Sequence, residues 1–176
     1  MNGNHCFGCV DNQVVSAAGQ VVADTDASRA FQHPSAPVST DRVWYAAVFH
    51  RSTMEMWQFV AGGGEDDEAP LLAAMREASE EAGITVGYSA WQKLDAIASI
   101  PRAAFPSAQW PDSVYVIPEY CFAVRTEGEI RLSPEHDRYE WLDYASARSR
   151  LTWDSNRVAL WELQERLASR NVVPVG

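Results

Sequence analysis

A short helix with many acidic residues limits most strongly how this chain can fold. The glycines at 62–64 follow an apolar stretch, while Pro70 and Gly83 suit the first position of a helix and the left-handed residue that ends one. These signals predict a helix of about three turns between them. Its apolar residues fall on one stripe at helical spacing, namely Leu71, Ala74, Met75, Ala78 and Ala82. We expect that stripe to pack on a core and leave the acidic face open.

The acidic face of this helix predicts a metal site. Glu77 and Glu81 are four residues apart, so their side chains project from neighbouring turns and can converge on one ion. Seven carboxylates lie within the seventeen residues 65–81, and Arg76 is the only cation among them. Such crowding repels, and a bound cation accounts for it better than a solvated face does. Carboxylate oxygens favour Mg²⁺, with Mn²⁺ as the alternative. Arg76 is expected to pair with Glu80 across one turn.

The rest of the chain predicts a mixed β-sheet packed between helices, because its strands do not alternate regularly with helices. Expected strands lie at 43–49, 56–60, 91–100, 113–124 and 140–142, and expected helices at 144–151 and 155–169. Asp154 or Ser155 can cap the last helix. The domain is therefore predicted to cover 42–169, with a tail at 170–176.

The first 41 residues are predicted to be an arm and linker. A possible short strand pair, Val14-Val15 and Val21-Val22 around Gly19, is followed by a stretch rich in Ser, Ala and Pro. We expect this arm to be dispensable for the chemistry of the domain. Cys6 and Cys9 form a CxxC pair, but the sequence offers no second pair to complete a zinc site, so an unremarkable chain end is the simpler interpretation.

Composition excludes several classes of function. The chain has 14 basic and 24 acidic residues and a net charge of -10, which argues against nucleic-acid binding by counterion release. Neither a membrane-length apolar segment of about 20 residues nor a signal peptide is recognisable. Three cysteines are too few for a disulfide framework. We therefore expect a cytoplasmic protein that binds neither nucleic acid nor membrane.

The acidic segment resembles the box motif of a known family. Gly62, then five residues, Glu68, seven residues and Arg76-Glu77-Ala78-Ser79-Glu80-Glu81-Ala82-Gly83-Ile84 match the Nudix box at every defined position. The resemblance implies an α+β Nudix fold, with a mixed β-sheet sandwiched between α-helices. It also implies an enzyme that hydrolyses a nucleoside diphosphate linked to another moiety. Val60-Ala61 replaces the Pro-Gly that often precedes the box, which affects the expected pocket shape and not the metal chemistry.

The same resemblance assigns roles within the metal site. Glu77 and Glu81 are the expected principal Mg²⁺ ligands, Glu80 completes the cluster, and the carbonyl of Gly62 is a further ligand. Arg76 holds Glu80 in place.

Sequence on both sides of the box is similar to the branch that contains dihydroneopterin triphosphate pyrophosphatase and dATP pyrophosphohydrolases. The similar segments are WQFVAGG and EHDRYEWLDYASARSRLTWDSNRVAL. This implies cleavage of a nucleoside or pterin triphosphate to a monophosphate and pyrophosphate. It also implies that Glu135 acts at the metal site and takes the proton from the attacking water, or failing it Glu80. Glu119 and Glu140 remain competitors for that role.

The loop at 102–113 is expected to hold the ring of the substrate. Phe105 and Trp110 could stack on a base or pterin or, alternatively, cover the core, and Arg102 could meet a phosphate. Two alternatives stay open: a catalytically silent nucleotide sensor, and a Nudix hydrolase of dinucleoside polyphosphates or nucleotide sugars. A homodimer is also left open.

Overall fold

The computed structural model describes residues 20–24, 44–65, 68–104 and 112–169, and only the backbone of 20–24. Its strands are β1 (Gln20–Asp24), β2 (Trp44–Arg51), β3 (Met56–Gln58), β4 (Trp91–Pro101), β5 (Val116–Arg125) and β6 (Arg138–Leu142). Its helices are α1 (Pro70–Ala82), α2 (Tyr144–Arg150) and α3 (Asp154–Ala168), with 3₁₀ turns at 88–90 and 102–104. Each strand and helix predicted from the core sequence is present, with bounds that differ by a few residues.

The strands form one mixed sheet in the order β3-β2-β1-β5-β4, and β6 pairs with β2 as well. β1 and β5 run parallel, whereas the other pairs are antiparallel. The register of the β4–β5 pair shifts between Lys93 and Ile97, so β4 contains an irregularity at that point. The mixed sheet confirms the predicted fold class.

β1 lies inside the sheet, between β2 and β5. Val22 pairs with Ala46 of β2, and Val21 pairs with Val124 of β5. The strand predicted at Val21-Val22 is therefore present, but its assignment to an arm outside the domain is wrong. The apolar run is short and isolated in sequence, and only its pairing partners show that it belongs to the sheet. The second strand of the predicted pair, at Val14-Val15, lies outside the described residues, as does the Cys6/Cys9 pair.

Helices cover both faces of the sheet. Successive side chains of a strand point to opposite faces, so each strand contributes to two separate apolar clusters. On one face, Ala47 and Phe49 of β2 join a buried cluster with the apolar stripe of α1. On the other face, Ala46 and Val48 join a cluster with residues of α2 and α3. We call these the α1 face and the α3 face. The sandwich of helices around the sheet is therefore present as predicted.

The ends of α1 follow the predicted signals, whereas the start of α3 does not. Pro70 is the first residue of α1, and Gly83 ends it in a left-handed conformation with φ 68°. α3 begins at Asp154 without a side-chain cap, so the prediction that Asp154 or Ser155 caps it is wrong. The neighbouring Asn156 is buried, and its side-chain oxygen accepts from the N–H of Phe59 at 3.2 Å. This contact ties α3 to the segment after β3. Within the described part of the chain, no helix is long and apolar enough to cross a bilayer.

Candidate active site

Arg76 connects the glycine loop to the acidic face of α1. Its guanidinium donates to Glu68 Oε2 at 3.0 Å, to Glu77 Oε1 at 2.9 Å and to Glu80 Oε2 at 3.1 Å. It also donates to the carbonyl of Gly63 at 2.7 Å. The hydrogen bond from Arg76 lowers the pKa of Glu68, and the same contacts raise the pKa of Arg76. One cation therefore holds three carboxylates of the box together, including the predicted contact with Glu80.

Glu77 lies directly against the backbone of Gly62. A Cβ atom on Gly62 would overlap the carboxylate of Glu77, so only glycine allows this approach. Burial raises the pKa of Glu77, the hydrogen bond from Arg76 opposes that shift, and the charges of Glu81 and Glu80 raise it further. The carboxylate of Glu77 and the backbone of Gly62 are therefore close together.

Glu81 is buried and pairs with a histidine. Its Oε2 lies 3.0 Å from Nε2 of His136, and the side chains are 5% and 0% exposed. The His136 ring packs against Phe49, with centroids 5.3 Å apart. His136 was not among the site residues predicted from the sequence. Its only signal there was its position beside Glu135.

The loop before β6 is attached to the end of α1 by backbone hydrogen bonds. The N–H of Arg131 donates to the carbonyl of Ala82 at 2.9 Å, and the N–H of Ser133 donates to that of Glu81 at 3.0 Å. These bonds bring the loop close enough to α1 for His136 to contact Glu81. The same loop carries Glu135, the preceding residue, to this end of α1.

Glu135 forms an ion pair with Arg51 at the end of β2. The Glu135 side chain is 47% exposed, so water and substrate can reach it. Its competitors face away from α1. Glu140 pairs with Val48 of the α3 face and accepts from Arg150 of α2 at 2.9 Å. Glu119 lies on β5 in alternation with Cys121, which belongs to the α3-face cluster.

Of the three residues predicted to bind substrate, the structure describes only Arg102. It lies in the 3₁₀ turn after β4, and its Nη1 is 3.3 Å from Oδ1 of Asp112. Phe105 and Trp110 lie outside the described residues.

The donor set suits a divalent cation, although the carboxylates are not arranged around one. Within the described ranges, no three His, Cys, Asp or Glu side chains are placed to hold an ion together. The reason is visible in the contacts, since Arg76 holds Glu77 and Glu80 while His136 holds Glu81. The crowded carboxylates and the close Gly62 backbone offer the hard oxygen ligands that Mg²⁺ prefers. Arg76 would have to release part of its contacts when an ion binds.

Known proteins resemble this chain in sequence and fold. A family model described as the NUDIX domain matches residues 38–161. A NUDIX hydrolase from Listeria monocytogenes is 36% identical, with a TM-score of 0.73, and the match covers 93% of this chain and all of that one (100%). The Escherichia coli dihydroneopterin triphosphate pyrophosphohydrolase is 21% identical, with a TM-score of 0.57, over 86% of this chain and 99% of that one. At that identity the likeness shows the fold alone.

A curated protein from another class also matches. It is an octanoyltransferase from Myxococcus xanthus, 33% identical over 103 residues, or 57% of this chain. The match spans 26% of that protein, so the matched part of this chain corresponds to about a quarter of its length.

Proposed function

The chain belongs to the Nudix hydrolase family, and on that premise we propose that it is a Mg²⁺-dependent pyrophosphohydrolase of a nucleoside or pterin triphosphate. Members of this family hydrolyse nucleoside diphosphates linked to another moiety, and they generally use divalent cations. The finer proposal is cleavage between the α and β phosphorus atoms, which yields a monophosphate and pyrophosphate. It rests on the similarity of the segments before and after the box to the branch named above.

The contact between Glu77 and the backbone of Gly62 carries the proposal. It requires glycine at 62 and holds a largely buried carboxylate between Arg76 and the like charges of Glu80 and Glu81. Arg76 is one cation against several carboxylates, and a divalent cation is the further ligand that such hard oxygen donors select. A catalytically silent sensor would not need all of these carboxylates, and each one that the family motif requires is present.

The residues divide the work as follows. Glu77, Glu81, Glu80 and the Gly62 carbonyl would hold the cation, which when bound would offset negative charge on the phosphate oxygens and leaving group. Phosphoryl transfer then needs a positioned water and a group that takes its proton. We propose Glu135 for that group, because it is an exposed carboxylate between Ser133 and His136, which both contact Glu81. Arg51 holds its side chain in the absence of substrate.

A substrate panel in ¹⁸O-labelled water tests the proposal. The panel contains nucleoside triphosphates, dihydroneopterin triphosphate, nucleotide sugars and dinucleoside polyphosphates, each with Mg²⁺ and with EDTA. We expect Mg²⁺-dependent hydrolysis of a triphosphate, with the label in the monophosphate, because water attacks the phosphorus next to the nucleoside or pterin. Glu81→Gln should be inactive by comparison, and Glu129→Gln, a change of an exposed acid, should be active.

The other outcomes identify the alternatives. A preference for nucleotide sugars or dinucleoside polyphosphates would reject the triphosphate proposal and leave family membership untouched. Nucleotide binding without hydrolysis of any compound would support the sensor instead. Label in the pyrophosphate product would show attack at the β phosphorus and contradict the proposed cleavage.

A further inference from the structure

Glu119 of β5 is a buried carboxylate that the proposed mechanism does not use. The residue is 6% exposed, and its Oε2 atom is buried without a hydrogen-bond partner. Glu162 of α3, on the same face of the sheet, shows the usual solution for an acid. It accepts from the N–H groups of Asp95 and Ala96 at 2.8 and 2.7 Å and pairs with Arg166. A buried carboxylate oxygen without such partners lowers the stability of the fold, so ligand binding explains Glu119 better than a structural role does.

The Glu119 side chain lies on the α3 face of the sheet. Cys121, two residues along β5 on that face, has its pKa raised to about 12 by burial and by the charges of Glu119 and Glu162. Ala98 of β4 lies directly opposite Glu119 in the register. Along β5, the same face carries Cys121 and the larger, buried Ile117, whereas Ala98 across the strands is small and partly exposed. The sheet surface beside Glu119 is therefore open on the β4 side, where a planar ring can lie.

The chemistry of a carboxylate restricts what this residue can bind. An ionised carboxylate only accepts hydrogen bonds, and its two oxygens fit two adjacent N–H donors. The 2-amino-4-oxopyrimidine edge, shared by guanine and pterin, offers a ring N–H beside an amino group. Adenine and cytosine place an acceptor beside their amino group, and uracil and thymine have one N–H between two carbonyls. A phosphate would be repelled.

We propose that Glu119 binds the 2-amino-4-oxopyrimidine edge of the substrate and selects guanine or pterin triphosphates over other bases. This inference rests on the proposed function, because it assumes that the ring belongs to a hydrolysed triphosphate. It also moves Glu119 from candidate metal ligand, as weighed from the sequence, to specificity residue. The reason is that Glu119 lies on the α3 face of the sheet, whereas α1 and its carboxylates lie on the opposite face.

A comparison of GTP with inosine triphosphate tests the contact, since the two differ only in the 2-amino group. The wild-type enzyme should prefer GTP in kcat/KM by roughly 10-fold or more. In Glu119→Gln the amide would set a donor against a donor. We expect kcat/KM for GTP and for dihydroneopterin triphosphate to fall about 100-fold, and the preference over inosine triphosphate to disappear. The larger of the two wild-type kcat/KM values then identifies guanine or pterin as the natural ring.

Controls separate this inference from the proposed function. Glu165→Gln, a change of an exposed acid of α3, should leave every ratio unchanged. Glu119→Gln should unfold at a temperature no lower than the wild type, because it removes an unpaired buried charge. If triphosphates are hydrolysed and Glu119→Gln keeps the wild-type GTP preference, the inference is wrong and the proposed function stands. If nothing is hydrolysed, calorimetry with α,β-methylene-GTP still decides, since only weaker binding to Glu119→Gln would support the contact.

Discussion

The Nε2 atom of His136 lies 3.0 Å from Oε2 of Glu81, and both side chains are buried. The carboxylate is the expected metal ligand nearest the end of α1, and the histidine comes from a loop more than fifty residues further along the chain. His136 is therefore placed to hold the Glu81 side chain in one orientation. Groups that orient metal ligands in this way commonly change metal affinity 10- to 100-fold when they are removed.

The first prediction concerns this positioning contact. His136→Phe keeps an aromatic ring against Phe49 but removes the donor, so Mn²⁺ affinity, measured by electron paramagnetic resonance, should fall about 10- to 100-fold. His136→Gln keeps an N–H that can reach Glu81 and should recover most of the affinity. A purely structural role predicts lower thermal stability in both variants and unchanged Mn²⁺ binding in the folded protein.

The second prediction uses two neighbouring glycines. In Gly62→Ala the new methyl group would occupy the place of the Glu77 carboxylate, which must swing away because it is the flexible end of a side chain. We expect little change in stability and a loss of Mg²⁺-dependent turnover of about 100-fold or more. Gly63→Ala is the matched control, because its Cβ would meet no atom within 4 Å. Equal activity of the two variants would mean that the Gly62–Glu77 contact is not needed for catalysis.

The third prediction identifies the group that takes the proton. Glu135→Gln should lower kcat at least about 100-fold at saturating Mg²⁺, the range usual for loss of a general base. Glu140→Gln should retain most activity, because Glu140 pairs with Arg150 on the other face. An active Glu135→Gln together with an inactive Glu140→Gln would transfer the role to Glu140.

The fourth prediction is a pH dependence of stability. The pKa of Glu68 in the folded protein lies below its ordinary 4.5, mainly because of the hydrogen bond from Arg76. The ionised carboxylate therefore stabilises the fold fully above pH 4.5, and this contribution is lost as the pH falls through the lower, folded-state pKa. Urea unfolding from about pH 7 to about pH 3 should show a gap between wild type and Glu68→Gln that closes on the acid side. A constant gap would contradict the assignment.

The fifth prediction concerns the start of the chain. Removing residues 1–35 deletes β1, which pairs with both β2 and β5. We expect the truncated protein to lose cooperative unfolding, measured by circular dichroism, because the strands on either side of β1 lose their shared partner. Removing residues 1–18 keeps β1 and serves as the control. Cooperative unfolding of the shorter protein would show that β1 is dispensable, as the sequence had suggested.

Local patterns in the sequence predicted much of this protein. Pro70, Gly83 and the apolar stripe between them predicted α1, because helix ends and helical spacing depend on residues a few positions apart. The contact from Arg76 to Glu80 spans one turn and could be predicted for the same reason. The box motif likewise identified the family and the carboxylates of α1.

Tertiary structure decided the remaining features, because each depends on residues far apart in sequence. The burial of Glu81 against His136 requires the loop before β6 to reach the end of α1. β1 was predicted as a short strand but assigned to an arm, because its five residues do not show which strands they pair with. The resemblance favoured Glu135 for the role at the metal site, but residue type alone does not separate it from Glu119 and Glu140. Strand alternation and loop attachment place only Glu135 beside α1, since the face on which a side chain lies is set by pairing and not by residue type.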